Sequence, residues 1–348
     1  MSPKHLGRFG LAALATLVLA GPAVAAAQTL TGAGATFPDP IYEKWFDAYS
    51  KKTGVKINYQ AIGSGGGITA FTQNTTDFGA SDGPMTNDQM NAVQGDVIHF
   101  PTVIGAVVMT WNVPGVTALK LNGATIADIY LGKITSWNDA RLAALNPGLK
   151  LPKQDIIVVH RSDGSGTSYI FTDFLAKNSP DWKSRVGFGT NPSWPVGLGG
   201  SHNDGVTQLV KQNEGAIGYV ELIYALSNKM PYAEVKNPAG KFVNASLETA
   251  SNAAASAKFA ANTDFRVSIT NAPGPDAYPI SSFTWLLIRP NIKDPAKGKA
   301  IKNFLEWMVT PEAQDMAKTL DYAPLPAPVV ALERARFKTL KAGGKVIM

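Results

Sequence analysis

Between Asp155 and Ala176 an apolar run, a loop of glycine and hydroxyl residues and an amphipathic run follow one another without a break. Ile156 to Val159 is continuous and largely β-branched, as a buried strand should be. Ile170, Phe171, Phe174 and Leu175 recur at the spacing of one helix face. Between them lies Arg161-Ser-Asp-Gly-Ser-Gly-Thr167, so a strand is delivered through a short polar loop directly into a helix. The unpaired N–H groups and positive dipole end of such a helix attract anions. Gly164 and Gly166 clear side chains from the backbone, Ser165 and Thr167 add donors, and Arg161 supplies a planar fork suited to a tetrahedral oxyanion. The plainer alternative is that Ser165 only caps the helix while Arg161 stands in water.

The same succession recurs. Leu30 to Gly34 reads as a strand, and Thr36-Phe37-Pro38-Asp39-Pro40 leads into a helix with Ile41, Tyr42, Trp45, Phe46 and Tyr49 on its buried face. Val55 to Ile62 alternates as a strand, Gly63-Ser64-Gly65-Gly66-Gly67 reads as a loop, and a short helix is expected from Ile68 to about Gln73. This glycine run is no P-loop, since no Lys-Ser or Lys-Thr pair ends it, and it lacks the acidic partner of a dinucleotide fingerprint. Asp77-Phe-Gly-Ala-Ser-Asp82 is a short strand running into a turn, with Asp82 at its end, where it could equally cap the segment beginning Met85-Thr86. Glycine-rich turns are usually only turns, but three of them, each with a hydroxyl residue at a helix start, strengthen the reading of an anion site.

Two long β-rich runs suggest how the halves connect. Val97 to Trp111, interrupted by Pro101 and Gly105, fits a strand crossing from one lobe to another, and Tyr278 to Ile288 fits the return. The expected organisation is therefore one lobe from residues 28–105 and 277–348 and a second from 106–276. At 348 residues the chain is long enough for two cores. Residues 187–205 read as loop, with Asn203-Asp204-Gly205 opening a helix.

Lys4, His5 and Arg8, the apolar run Leu11 to Ala20 and the small residues Ala25 to Ala27 have the layout of an export signal, cut near Ala27-Gln28 or after Ala25. Its apolar run is too short to anchor a membrane. The destination expected is a periplasm. Hydrophobic content of 45% with 17% charged residues is that of a soluble globular chain. There are no cysteines, which excludes disulfides, thiolate metal sites, a cysteine nucleophile and a lipidated cysteine anchor. A net charge of +6 is scattered, with no basic stripe interleaved with aromatics, so nucleic acid is not an expected partner. The four histidines have no zinc spacing, and no metal or cofactor is expected. His160 beside Asp163 and Ser165 permits a hydrolase reading with Ser165 as nucleophile, but Gly164-Ser165-Gly166 lacks the spacing of a nucleophile elbow.

Gly32-Ala-Gly-Ala-Thr-Phe-Pro38, Gly63-Ser-Gly-Gly66, Asp77-Phe-Gly-Ala-Ser-Asp82, Phe100-Pro-Thr-Val-Ile-Gly105, Asp128-Ile-Tyr-Leu-Gly-Lys-Ile134, Arg161 to Thr167 and Gly215-Ala-Ile-Gly-Tyr-Val220 occur in this order. Taken jointly, they resemble the phosphate-binding proteins (PstS type) of bacterial ABC phosphate importers, over essentially all of the chain after the signal. The resemblance implies a two-lobed α/β periplasmic-binding-protein fold, each lobe a mixed sheet flanked by helices, with the ligand in the cleft. It implies no enzymatic activity, inorganic phosphate as ligand, inner-membrane permease subunits as partners, and a monomer without a covalent membrane anchor. It places phosphate contacts on Thr36, Phe37, Ser64 and Asp82 in the first lobe and on Arg161, Ser165, Gly166 and Thr167 in the second, with Asp163 pairing with Arg161. Gly65 departs from many relatives, which carry a serine there; a hydroxyl is lost and the N–H stays. The residue at 160 varies among relatives, which speaks against a catalytic His160. A carboxylate in an anion site repels its ligand unless the ligand brings a proton, so Asp82 is expected to select phosphate over sulfate or molybdate and hardly to separate arsenate.

Overall fold

The computed structural model describes residues 28–260 and 263–348; the expected signal, residues 1–27, lies outside them. Eight strands form one mixed sheet. Numbered along the chain they are β1 (Thr29–Gly34), β2 (Lys56–Ala61), β3 (Phe78–Ser81), β4 (Ile98–Asn112), β5 (Ile157–Arg161), β6 (Leu198–Gly200), β7 (Ala216–Glu221) and β8 (Ser281–Ile288). Their order is β2-β1-β3-β8-β4-β7-β5-β6. The outer triplets β2-β1-β3 and β7-β5-β6 are parallel, while β8 and β4 join them through antiparallel pairings. Parallel neighbours require helical crossovers that cover the sheet faces. The helices that bear on the site are α1 (Asp39–Thr53), α2 (Gly63–Thr72), α3 (Gly166–Asn178), α4 (His202–Gln212) and α5 (Leu222–Ser227).

Strand β4 ties the halves together. Its residues Ile98–Ala106 pair with β8 and Val107–Asn112 pair with β7. The expected interruption is absent, and the strand runs unbroken for fifteen residues. Pro101 is tolerated because the register against β8 slips between Thr284 and Trp285, a bulge that spares its missing N–H. Gly105 makes room rather than a break: a Cβ there would lie 2.4 Å from the Phe37 ring.

Two further expectations fail. The glycine run 63–67 is helix, not loop, and α2 begins at Gly63. Glycine is a poor helix former, but a Cβ on Gly67 would lie 2.4 Å from Gly34 Cα, so close packing on β1 overrides propensity. The loop 187–205 contains β6, whose Leu-Gly-Gly sequence carries no strand signal and which forms by pairing alongside β5.

The buried aromatic face of α1, Ile41, Tyr42, Trp45, Phe46 and Tyr49, packs against the outer triplet containing β1, as periodicity predicts. Gly54 closes that helix in the left-handed conformation and donates to Ser50 O at 2.8 Å. Beyond the sheet, the chain returns through Pro295–Met308 and Pro311–Lys318 and ends near the helix Ala327–Phe337. No helix among the described residues is long and apolar enough to cross a membrane.

Candidate functional site

Ser165 adopts extended backbone (φ −120°) and its Oγ accepts the Ser168 N–H at 3.1 Å, which starts α3. The helix therefore begins at the tip of the loop, and the Gly166 N–H points across the gap between the halves to Ser64 Oγ at 3.0 Å. Arg161 ends β5, with its backbone N–H on the Tyr219 hydroxyl at 3.1 Å. The guanidinium is almost wholly buried, at 1% side-chain exposure, so it must be paired. Asp163 takes Nε at 2.8 Å and Nη2 at 2.5 Å, and Nη1 reaches Thr167 Oγ1 at 3.3 Å. Asp163 thus occupies one edge of the fork and leaves the Nη1–Nη2 edge for an anion. Burial alone would raise the Asp163 pKa, but the hydrogen bonds and charge of Arg161, helped by the His202 N–H at 2.9 Å, hold it below the usual carboxylate range. Asp163 therefore stays ionised and holds the guanidinium fixed.

The opposite half supplies Thr36, Phe37, Ser64 and Asp82, all buried. Ser64 lies in the first turn of α2, close to the N–H groups at its start, and its Oγ accepts the Asp82 N–H at 3.2 Å as well as that of Gly166. Asp82 follows β3 at 1% exposure, and burial pushes its carboxyl up to about 7 against the hydrogen bond from Thr284, the charge of Arg161 and the hydroxyl of Ser64. Thr284 Oγ1 donates to Asp82 Oδ1 at 2.8 Å, while Oδ2 has only the long contact from Ser64 Oγ at 3.5 Å. One carboxylate oxygen is held and the other looks into the junction between the halves. Phe37 is fixed from both ends: its carbonyl accepts from the Tyr322 hydroxyl at 2.6 Å and its ring rests on Gly105.

The halves meet through glycines. Gly65 N–H donates to Gly164 O at 2.8 Å. Gly63 sits at φ +81°, where a side chain is strained, and a Cβ there would lie 2.4 Å from Asp163 Oδ2. A Cβ on Gly166 would lie 2.5 Å from Ser64 Oγ and 2.6 Å from Asp82 Oδ2. The residue types singled out in the sequence thus converge on one buried junction.

Several residues of the junction were not singled out. Asn203 Nδ2 lies 2.9 Å from Thr36 Oγ1 and 3.3 Å from Thr167 Oγ1, and so links the two halves. Thr284 holds Asp82, Tyr224 donates to Thr36 O at 2.6 Å, and Glu221 reaches Tyr322. Glu221 is wholly buried; desolvation raises its pKa well above the usual range, with the charge of Asp82 adding and the Ile223 N–H and Tyr322 opposing. Asn203 was visible only as the start of a helix, a position that Asn takes for capping anyway. Thr284 and Tyr322 lie in runs that read simply as strand and loop.

The serine-hydrolase constellation does not form among the described residues. Ser165 Oγ is engaged in capping, whereas the His160 ring stacks on Trp194 at 4.8 Å and its Nδ1 lies 2.9 Å from Arg161 O. Burial lowers the His160 pKa. No group of three or more acidic or histidine side chains among the described residues is arranged to hold a metal ion.

Helix starts from opposite halves of one mixed sheet, aimed at a junction with one buried, paired arginine and one buried carboxyl, define a two-lobed solute-binding protein. The PBP superfamily domain model matches residues 20–312. The chain is 44% identical over 317 residues to the phosphate-binding protein PstS of Haemophilus influenzae, covering 90% of this chain and 94% of that protein. It belongs to the PstS family of phosphate-binding proteins. Among solved structures it resembles a phosphate-binding protein from Stenotrophomonas maltophilia, with a TM-score of 0.70 and 23% identity over 92% of this chain and 96% of that one. It also resembles the high-affinity periplasmic phosphate-binding protein PfluDING bound with phosphate, with a TM-score of 0.70 and 21% identity over 88% and 93%. At these identities the structural likeness establishes the fold.

Proposed function

We propose that this protein captures inorganic phosphate between its two lobes and delivers it to the permease of an ABC importer. The observation that carries this reading is the buried carboxyl of Asp82 opposite the buried, Asp163-locked guanidinium of Arg161. An ionised carboxylate opposes an anion that has no proton, whereas phosphate carries one proton to share near neutral pH. Thr36, Ser64, Ser165 and Thr167 contribute hydroxyl donors, Phe37 and Gly166 contribute backbone N–H groups, Arg161 the fixed charge, and Asp82 the acceptor. Asp163 holds Arg161 in place.

The lobes in this reading are residues 28–105 with 277–348, and 106–276. Strand β4 changes partner from β8 to β7 between Ala106 and Val107, which supports a boundary there. Closure brings Gly65 against Gly164 and takes the ion out of water, where each hydrogen bond is worth more. The protein acts as a monomer in the periplasm, exported by a leader cleaved near Ala27-Gln28, with no lipid anchor, and it turns over no substrate. Titrating phosphate-stripped protein with phosphate should give one site per chain, with far weaker binding of sulfate and no hydrolysis of p-nitrophenyl phosphate. Hydrolysis abolished by Ser165→Ala would overturn the reading in favour of an enzyme, and sulfate binding equal to phosphate would overturn the choice of ion.

A further inference from the structure

We propose that Asn203 turns the threonine hydroxyls of both lobes toward donating to the bound oxyanion, fully at Thr167 and by bias at Thr36. The inference rests on the phosphate-binding reading given above and adds a positioning residue to it.

Asn203 is wholly buried in the first turn of α4. Its amide has one possible orientation. The Glu221 N–H, which can only donate, lies 3.0 Å from Oδ1, so the oxygen must face β7 and the NH2 group must face the site. From there Nδ2 donates to Thr36 Oγ1 at 2.9 Å and to Thr167 Oγ1 at 3.3 Å. Arg161 Nη1 donates to the same Thr167 oxygen at 3.3 Å. A hydroxyl has two lone pairs and one proton, so with both lone pairs taken the Thr167 proton has to be given to an acceptor. Thr36 is biased the same way by its single accepted bond.

Ser64 follows the same rule by other means. Its Oγ accepts backbone N–H groups from Asp82 at 3.2 Å and Gly166 at 3.0 Å, so its proton can only be given, and here it faces Asp82 Oδ2 across a long 3.5 Å contact. The hydroxyls would otherwise be ambivalent, able to satisfy a ligand that donates or one that accepts. With both lone pairs filled, Thr167 and Ser64 accept nothing from the ligand, Thr36 is left one lone pair fewer, and Asp82 becomes the main acceptor for a ligand proton. Because Asn203 reaches Thr36 from the opposite half, the arrangement is complete only when the lobes are together.

Phosphate affinity measured by calorimetry on stripped protein tests this, using Asn203→Ala in the wild-type background and in a Thr36→Val/Thr167→Val background. If Asn203 acts through the hydroxyls, Asn203→Ala weakens binding about tenfold or more in the first and less than about threefold further in the second. Equal losses in the two backgrounds would overturn the proposal, as would a loss below twofold in the first. Asn203→Asp serves where the alanine variant fails to fold, because it keeps the shape and the acceptor for the Glu221 N–H. A purely structural role makes Asp the milder change. The hydroxyl role makes it severe at pH 8, since its carboxylate takes the threonine protons, and partly rescued relative to wild type at pH 5.5 as the acid regains a proton. Wild-type-like binding by Asn203→Asp at pH 8 would sink the inference while leaving the phosphate reading intact; only failure of the wild-type protein to bind phosphate touches that.

Discussion

Replacing Asp82 by Asn probes the selectivity argument at its one acidic atom pair. The side chain keeps its size, and an amide oxygen turned to Thr284 preserves the 2.8 Å bond that now holds Oδ1. The NH2 group then takes the place of Oδ2 and becomes a donor facing the ion. In the wild type, sulfate would set an oxygen with no proton against Oδ2, an unpaired buried acceptor costing about 1–3 kcal/mol, with the charge favouring the upper end. Removing that cost should tighten sulfate relative to phosphate by roughly 5- to 150-fold, taking tenfold as ~1.4 kcal/mol. Competition calorimetry with phosphate and sulfate reads this ratio directly. A pH series sharpens it, because burial pushes the Asp82 carboxyl up to about 7. The folded protein holds that proton below this pH and loses it above. Wild-type sulfate binding should therefore weaken above pH 7, by at most about tenfold per unit and in total by roughly the same 5- to 150-fold, and level off below, whereas the Asn variant should show no such dependence. A phosphate-to-sulfate ratio unchanged in the variant, or a pH dependence that survives the substitution, would refute the role assigned to Asp82.

Arg161→Ala should weaken phosphate binding well over tenfold in the same titration, since it removes charge-assisted hydrogen bonds worth ~1.5–3 kcal/mol each and leaves Asp163 without its cation, held only by the His202 N–H. Gly166→Ala should fold normally, because the residue opens an ordinary helix, yet bind phosphate at least tenfold more weakly; its Cβ would lie 2.5 Å from Ser64 Oγ and hold the jaws apart. Glu333 is wholly buried with no partner for either carboxyl oxygen among the described residues, and burial raises its pKa well above the usual range. The folded state keeps this proton at pH values where the unfolded chain has lost it, so its contribution to stability declines as pH rises above the unfolded value. Glu333→Met should raise stability in urea unfolding by ~1–3 kcal/mol at pH 8 and by less at pH 5. A variant less stable than wild type at pH 8 would refute this.

The α/β class was legible because period-2 and period-3.6 patterns alternate cleanly from Leu30 to Leu175. Family-specific runs such as Arg161 to Thr167 added the two-lobed fold. What stayed hidden depends on contacts distant in sequence. The glycines of α2 read as a loop because helix propensity is local, whereas their use is to let the helix press on β1. Strand β6 exists only because β5 lies beside it. The loop tips of the candidate site stood out as glycine, hydroxyl and arginine together at a helix start, although a plain helix cap fitted the same residues. The groups that brace them were not: Asn203 lies 167 positions from Thr36, Thr284 lies 202 from Asp82, and a lone polar residue in a strand or cap has many ordinary explanations.

Strand β4 has one more implication. Its unbroken backbone pairs in the middle of the sheet with a neighbour from each side, and fourteen of its fifteen residues are buried. Neither side can melt without stripping partners from the ribbon they share, so heating should give one sharp calorimetric peak rather than two. Amides between Val103 and Met109 should be among the last to exchange with deuterium. An opening of the jaws must then be absorbed as a gentle flex of that shared ribbon, with its hydrogen bonds kept, and not as the swing of two modules on a slack cord.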